Sequence, residues 1–202
     1  MRLRPIVILL GGLAAALTLT ACGDNAGGTD PGHGMNMGRS SSSSSMAGEG
    51  EAIDIAFAQL MIPHHQQAVA MADLALQHAK SADVQSLAAQ IKSAQGPEIE
   101  QMKAWLDEWG APMEMSEGEH EMGGMTMSGM MTDDAMDVLA ESRGAGFDRM
   151  WLQMMIAHHQ GAIQMAQDVL EESSNDEVTA LAQAIVDGQA AEIDTMQQLL
   201  AR

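Results

Sequence analysis

The chain contains a second copy of part of itself. Shifting the sequence by 94 residues lays Asp54–Leu106 on Asp148–Leu200 without a gap. Matching pairs include Asp54/Asp148, Met61/Met155, His64/His158, His65/His159, Gln66/Gln160, Met71/Met165, Gln95/Gln189, Glu98/Glu192 and Met102/Met196. A repeat of this kind restricts the fold to two like units that bury their apolar faces against each other. In the first copy, Ile53, Phe57, Leu60, Met61, Ala68, Met71 and Ala75 recur at three- and four-residue steps. After "QHAKSAD" the period resumes with Val84, Leu87, Ile91, Ala94, Met102 and Trp105, and it stops at "WGAP". That is helical spacing, with Gly110 and Pro112 as a stop signal and no alternation that would favour strands. Each copy therefore reads as a helical hairpin. The expected fold is all-α: an antiparallel four-helix bundle made of two duplicated hairpins related by an approximate twofold axis.

The expected segments are hairpin 51–110, a Met-rich linker 111–132, a short helix 133–143 and hairpin 146–202. Ser174 and Glu177 fit a capping box that would start the last helix. Upstream, "MRLR" precedes the apolar run "PIVILLGGLAAALTLTA" and then Cys22. This is the layout of an export signal, and Leu19-Thr20-Ala21-Cys22 resembles a bacterial lipobox. The expectation is a signal peptide over 1–21, lipidation of Cys22 and a flexible, lipid-anchored stalk over 22–50. The stalk is rich in Gly and Ser and cannot bury enough apolar surface to fold. Cys22 is the only cysteine, so disulfides and thiolate metal sites are excluded from the mature protein. The protein is expected to work outside the cytoplasm, tethered to a membrane and facing the periplasm or the cell exterior.

The formal net charge is −19, from 9 Lys+Arg against 28 Asp+Glu. Such a surface repels nucleic acid and attracts cations, although acidity also serves plain solubility. The chain holds 20 Met and no Tyr. Methionine fills cores as a flexible hydrophobe, and its thioether is a soft ligand that favours Cu(I).

Position decides between those uses. Met61 lies three residues before His64 and four before His65, so it shares a helix face with each. About 16 residues separate His65 from the turn near Ser81, and about 16 separate the turn from Glu98, which places the two side chains at one height on antiparallel helices. Met102 follows one turn on. His158, His159, Met155, Glu192 and Met196 repeat the arrangement in the second hairpin. Each hairpin can thus offer imidazole, carboxylate and thioether at one level, and bundle cores are where facing helices build metal sites. The same residues also fit a structural hydrogen-bond network. Pro63 and Pro97 fall inside the first hairpin's helices where the second has Ala157 and Ala191, so the first half is expected to be the more open one.

Between the hairpins, "HEMGGMTMSGMM" carries His120, Met122, Met125, Met127, Met130 and Met131, and the stalk carries His33, Met35 and Met37. Flexible thioethers at this spacing can wrap a soft monovalent ion. A low-complexity linker or a sticky partner surface is the alternative.

"MIPHHQQAVAMA" and "MIAHHQGAIQMA", each followed by "E-I-x-x-M", resemble the bacterial family catalogued as domain of unknown function 305. The resemblance spans about residues 51 to 202. It implies a secreted or lipid-anchored, ferritin-like bundle linked with copper binding and tolerance. By motif match it carries over His64, His65, Met61, Met71, Glu98 and Met102, with His158, His159, Met155, Met165, Glu192 and Met196. The ferritin-like di-iron oxidases need a Glu-x-x-His pattern, and here Met61 and Met155 stand where that Glu belongs. The expected function is capture or buffering of copper, as Cu(I) or Cu(II), without turnover, with another transition metal as a variant. A metal-dependent oxidoreductase and a non-metal envelope interaction module are the rivals.

Overall fold

The computed structural model describes residues 42–114 and 128–202. The signal peptide, Cys22, the stalk residues His33, Met35 and Met37, and loop residues His120, Met122, Met125 and Met127 lie outside them. Five helices follow one another: α1 (Ser42–His78), α2 (Ala82–Trp109), α3 (Asp133–Glu141), α4 (Gly144–Glu172) and α5 (Asp176–Leu200). The described residues contain no strand. α1 packs on α2, α4 packs on α5, and α1 crosses α4 as the main junction between hairpins, while α2 and α5 meet only lightly. The start of α1 packs against the end of α4, and the end of α1 against the start of α4. This is the antiparallel, twofold-related bundle that the repeat demands. No helix of the described residues is long and apolar enough to cross a membrane.

The helix ends follow local chemistry. Ser81 caps α2 by accepting from the Val84 N–H, and Gly110 closes it in the left-handed region at φ 65°. Thr132 caps α3 in the same way. The cap of α5 differs from expectation. Asn175, not Ser174, accepts from the Glu177 and Val178 N–H groups. Glu177 does not fold back on the cap because its carboxylate accepts the Trp105 indole N–H at 3.2 Å. α1 also begins earlier than expected, inside the serine run assigned to the stalk. Extending an established helix costs far less than nucleating one, so apolar periodicity is not needed there.

Asp54 and Asp148 each sit at the turn of the other hairpin. The Asp148 carboxylate, at the start of α4, accepts the Lys80 and Ser81 backbone N–H groups, both at 2.9 Å. These are orphan donors at the α1–α2 turn. Its repeat partner Asp54 is buried beside Ser173 and Asn175 at the α4–α5 turn. Burial pushes the Asp54 carboxyl above its usual range, against the lowering effect of hydrogen bonds from Ser173 and Asn175. Asp148 thus pins the turn of the first hairpin, and Asp54 sits at the corresponding turn of the second. Asp148→Ala is expected to cost about 1–2 kcal/mol, because two bonds to a half-buried carboxylate are lost together; urea unfolding of the variant measures it.

Candidate metal centre

The repeat places His64 on α1 and His158 on α4 where these helices cross. The two rings stack at a centroid distance of 3.8 Å with a 41° tilt. His65 and His159 turn away from that contact, toward their own hairpin partners. His65 Nε2 donates to Glu98 Oε2 at 2.8 Å, and His159 Nε2 donates to Glu192 Oε2 at 2.7 Å. The equal-height count from the sequence is therefore correct in both hairpins. All four imidazoles are fully buried.

Donation from Nε2 to a carboxylate fixes the tautomer and leaves Nδ1 with its lone pair. The Nδ1 atoms of His64, His65 and His159, and both ring nitrogens of His158, find no hydrogen-bond partner among the described residues. Buried polar atoms are normally satisfied, and each exception asks for a cause. Burial, followed by the neighbouring imidazoles, pushes His64 down to about 3 and His158 down to about 2. Both are neutral at physiological pH, which is the form that binds a metal ion. A structural network would leave these nitrogens unsatisfied, and they are available to a ligand.

The thioethers lie on either side of the histidine layer. Met61, Met102 and Met165 belong to one apolar cluster with Phe57 and Leu106, and Met71, Met155 and Met196 belong to the other with Phe147 and Trp151. Each trio takes two methionines from one hairpin and one from its twin, as the twofold axis requires. Among the described residues no three His, Cys, Asp or Glu side chains converge to hold a metal ion. The expectation that carboxylate, imidazole and thioether gather at one level is thus met only in part. The carboxylates are engaged by His65 and His159, and the sulfurs flank rather than share the layer.

The exposure of the two glutamates does not show the difference expected between the halves. Glu98 and Glu192 are 22% and 21% exposed. α1 and α2 continue unbroken through Pro63 and Pro97. Openings occur instead along the α2–α5 seam. A groove of about 410 Å³ reaches Glu192 between Leu87, Gln90 and Thr195. Its counterpart of about 630 Å³, lined by Gln101, Trp105 and Leu181, occupies the equivalent place in the repeat. Sequence reasoning gave no role to Gln95 and Gln189. They are buried three residues before the glutamates, and their side-chain carbonyl oxygens find no partner among the described residues. Their identity at equivalent repeat positions was the available signal.

Met130 and Met131 are the described part of the methionine loop. Both are half-buried. Met131 packs against the cluster that holds Met71, Met155 and Met196, so packing does account for this loop residue.

The sequence matches the family described as domain of unknown function (DUF305) over residues 54–200. The chain belongs to the DUF305 family. No curated protein matches it. Solved DUF305 structures share its fold. A Streptomyces coelicolor DUF305 protein, described as secreted, aligns with TM-score 0.71 and 35% identity over 74% of this chain and 92% of its own. A DUF305 fragment from Deinococcus radiodurans aligns with TM-score 0.64 and 34% identity over 74% and 96%. CopM in its Cu(II)-bound form aligns with TM-score 0.61 and 35% identity over 73% and 95%. CopM has also been solved with Cu(I) and with Ag bound.

Acid should act on this centre. The unfolded chain protonates His64 and His158 below their ordinary value of 6.5, whereas the folded protein refuses those protons until about pH 3 or lower. The unfolded state then binds more protons, so stability falls as pH drops from 6.5 toward 3. Each histidine contributes at most about 1.4 kcal/mol per pH unit. Urea midpoints of the metal-free protein across this range are expected to fall with pH, and the slope should flatten in His158→Leu.

Proposed function

We propose that this DUF305 chain is an extracytoplasmic, lipid-anchored protein that captures and buffers copper, Cu(I) foremost. The observation that carries the reading is a set of four buried imidazoles, each with its Nδ1 lacking a partner among the described residues and His158 with both ring nitrogens so, flanked by six buried thioethers. His64, His65, His158 and His159 are the candidate nitrogen donors, fewer than three of them to any one ion, and Met61, Met71, Met102, Met155, Met165 and Met196 are the candidate sulfur donors. Glu98 and Glu192 then act by orienting His65 and His159, as carboxylates commonly do for ligating histidines. No trio of harder ligands converges among the described residues, and buried thioether sulfur is available to complete the coordination. Sulfur donors favour Cu(I) and Ag(I) over Zn or Fe. The Cu(I)-, Cu(II)- and Ag-bound CopM structures support the same reading. The formal charge of −19 concentrates cations near the surface. The loop residues His120, Met122, Met125, Met127, Met130 and Met131 would catch soft ions on the way, and Cys22 would carry the anchor.

Competition titration with a Cu(I) chelator tests the binding reading. Saturable binding is expected that persists when residues 115–127 are deleted and is lost when the four histidines become alanine. Equal affinity in the histidine-free variant would refute a bundle centre. Labelling with a radioactive fatty acid in cells, with Cys22→Ala as the control, tests the anchor.

A further inference from the structure

The repeat is broken at one informative pair. Gln67 and Gly161 occupy equivalent positions, three residues after His64 and three after His158. The linker's last residues sit on both. The Gln67 amide donates to the Met131 carbonyl at 2.9 Å and its oxygen accepts the Met131 N–H at 2.7 Å. At Gly161 the fit is tighter. A Cβ there would lie 1.9 Å from the Ser128 carbonyl oxygen and 2.8 Å from Gly129 Cα. Gly129 is itself at φ 82°, and a Cβ on it would lie 2.7 Å from the Ala157 carbonyl oxygen. Only two glycines face to face allow this approach. Between the two anchors, the Ser128 carbonyl accepts from His64 Nε2 at 3.1 Å. One residue of the histidine pair is thereby held by the linker, while both nitrogens of its stacked mate His158 have no partner among the described residues.

We propose that Gln67 and Gly161 form a docking cradle that straps Ser128–Met131 over the His64–His158 pair, so that a soft metal ion reaches these imidazoles only when the strap lifts. The inference rests on the metal reading above and adds its point of control. Lifting frees His64 Nε2 from the Ser128 carbonyl and uncovers His158. Ser128–Met131 is then the gate of the centre, and Gly161, where the other repeat has Gln67, is the residue that makes room for it.

Gly161→Ala in the full, metal-free chain tests this. The substitution raises helix propensity in α4, yet its methyl group must displace the strap. Gln67→Ala removes the other anchor independently. Gly96→Ala and Gly188→Ala are controls, because a Cβ at either helical glycine meets nothing within 4 Å. Two readouts are needed: hydrogen exchange at the Met131 amide, and the rate of Ag(I) uptake in stopped flow. If the strap is open in about 1–10% of molecules, undocking it speeds uptake about 10- to 100-fold. Gly161→Ala and Gln67→Ala should both deprotect Met131 and speed uptake, with the controls unchanged. Faster exchange with unchanged uptake would overturn the gate alone and leave the docking intact. An unprotected Met131 amide in the unaltered protein would overturn the docking itself. If Ag(I) binds to none of the proteins, the metal reading fails and the gate with it.

Discussion

Trp151→Ala is expected to be the most destabilising single substitution, at about 3–5 kcal/mol. Trp151 is fully buried near the start of α4, and its indole N–H donates to the Met71 carbonyl of α1 at 2.8 Å. It packs in the cluster with Phe147, Leu139, Met155 and Met196. Truncation removes an aromatic ring from the junction between hairpins, and helices fixed on both sides can refill that space only in part. The repeat supplies a milder comparison. Phe57 holds the equivalent place in the other cluster, so Trp151→Phe installs a ring the architecture already accommodates. It should cost about 1–2 kcal/mol, for the lost hydrogen bond and some volume. Urea unfolding of both variants measures the difference. A loss under about 1 kcal/mol for alanine would mean that the junction does not hold the bundle together.

That junction also marks where sequence reasoning stopped. Periodicity and turn residues placed the helices because these are local signals: Gly110, for one, ends α2. Counting from the turn gave His65 opposite Glu98, since rise per residue and an antiparallel partner determine height. Contacts between hairpins were not legible. The stacking of His64 on His158 and the grip of Asp148 on the Lys80–Ser81 turn depend on how α1 crosses α4. Pattern within a helix says which face is buried, not which neighbour meets it. The identity of Asp54 with Asp148 marked a constraint without saying that each lies at the other hairpin's turn. The asymmetry expected from Pro63 and Pro97 does not show at the glutamates, which are held alike by their histidines and equally exposed. The real asymmetry, Gln67 against Gly161, appeared in the alignment of the repeat as an unremarked mismatch. Only the strap packed on it gives it meaning.

The second large effect concerns binding. Replacing His64 and His158 together by alanine is expected to weaken Cu(I) affinity at least about 100-fold, since two of four imidazole donors leave a desolvated centre. Glu98→Gln and Glu192→Gln should act more gently, about 10- to 100-fold, because an amide still reaches the histidine but no longer favours the same tautomer. Chelator competition ranks the variants. The order separates ligands from the groups that orient them. Equal losses from both pairs would mean that the carboxylates bind the ion themselves.

Copper K-edge X-ray absorption on the Cu(I)-loaded full-length protein tests the central claim most directly. The account predicts imidazole nitrogen and thioether sulfur together in the first coordination shell, with the nitrogen contribution abolished when His64, His65, His158 and His159 are replaced by alanine. A spectrum left unchanged by those four substitutions would place the metal elsewhere and contradict it.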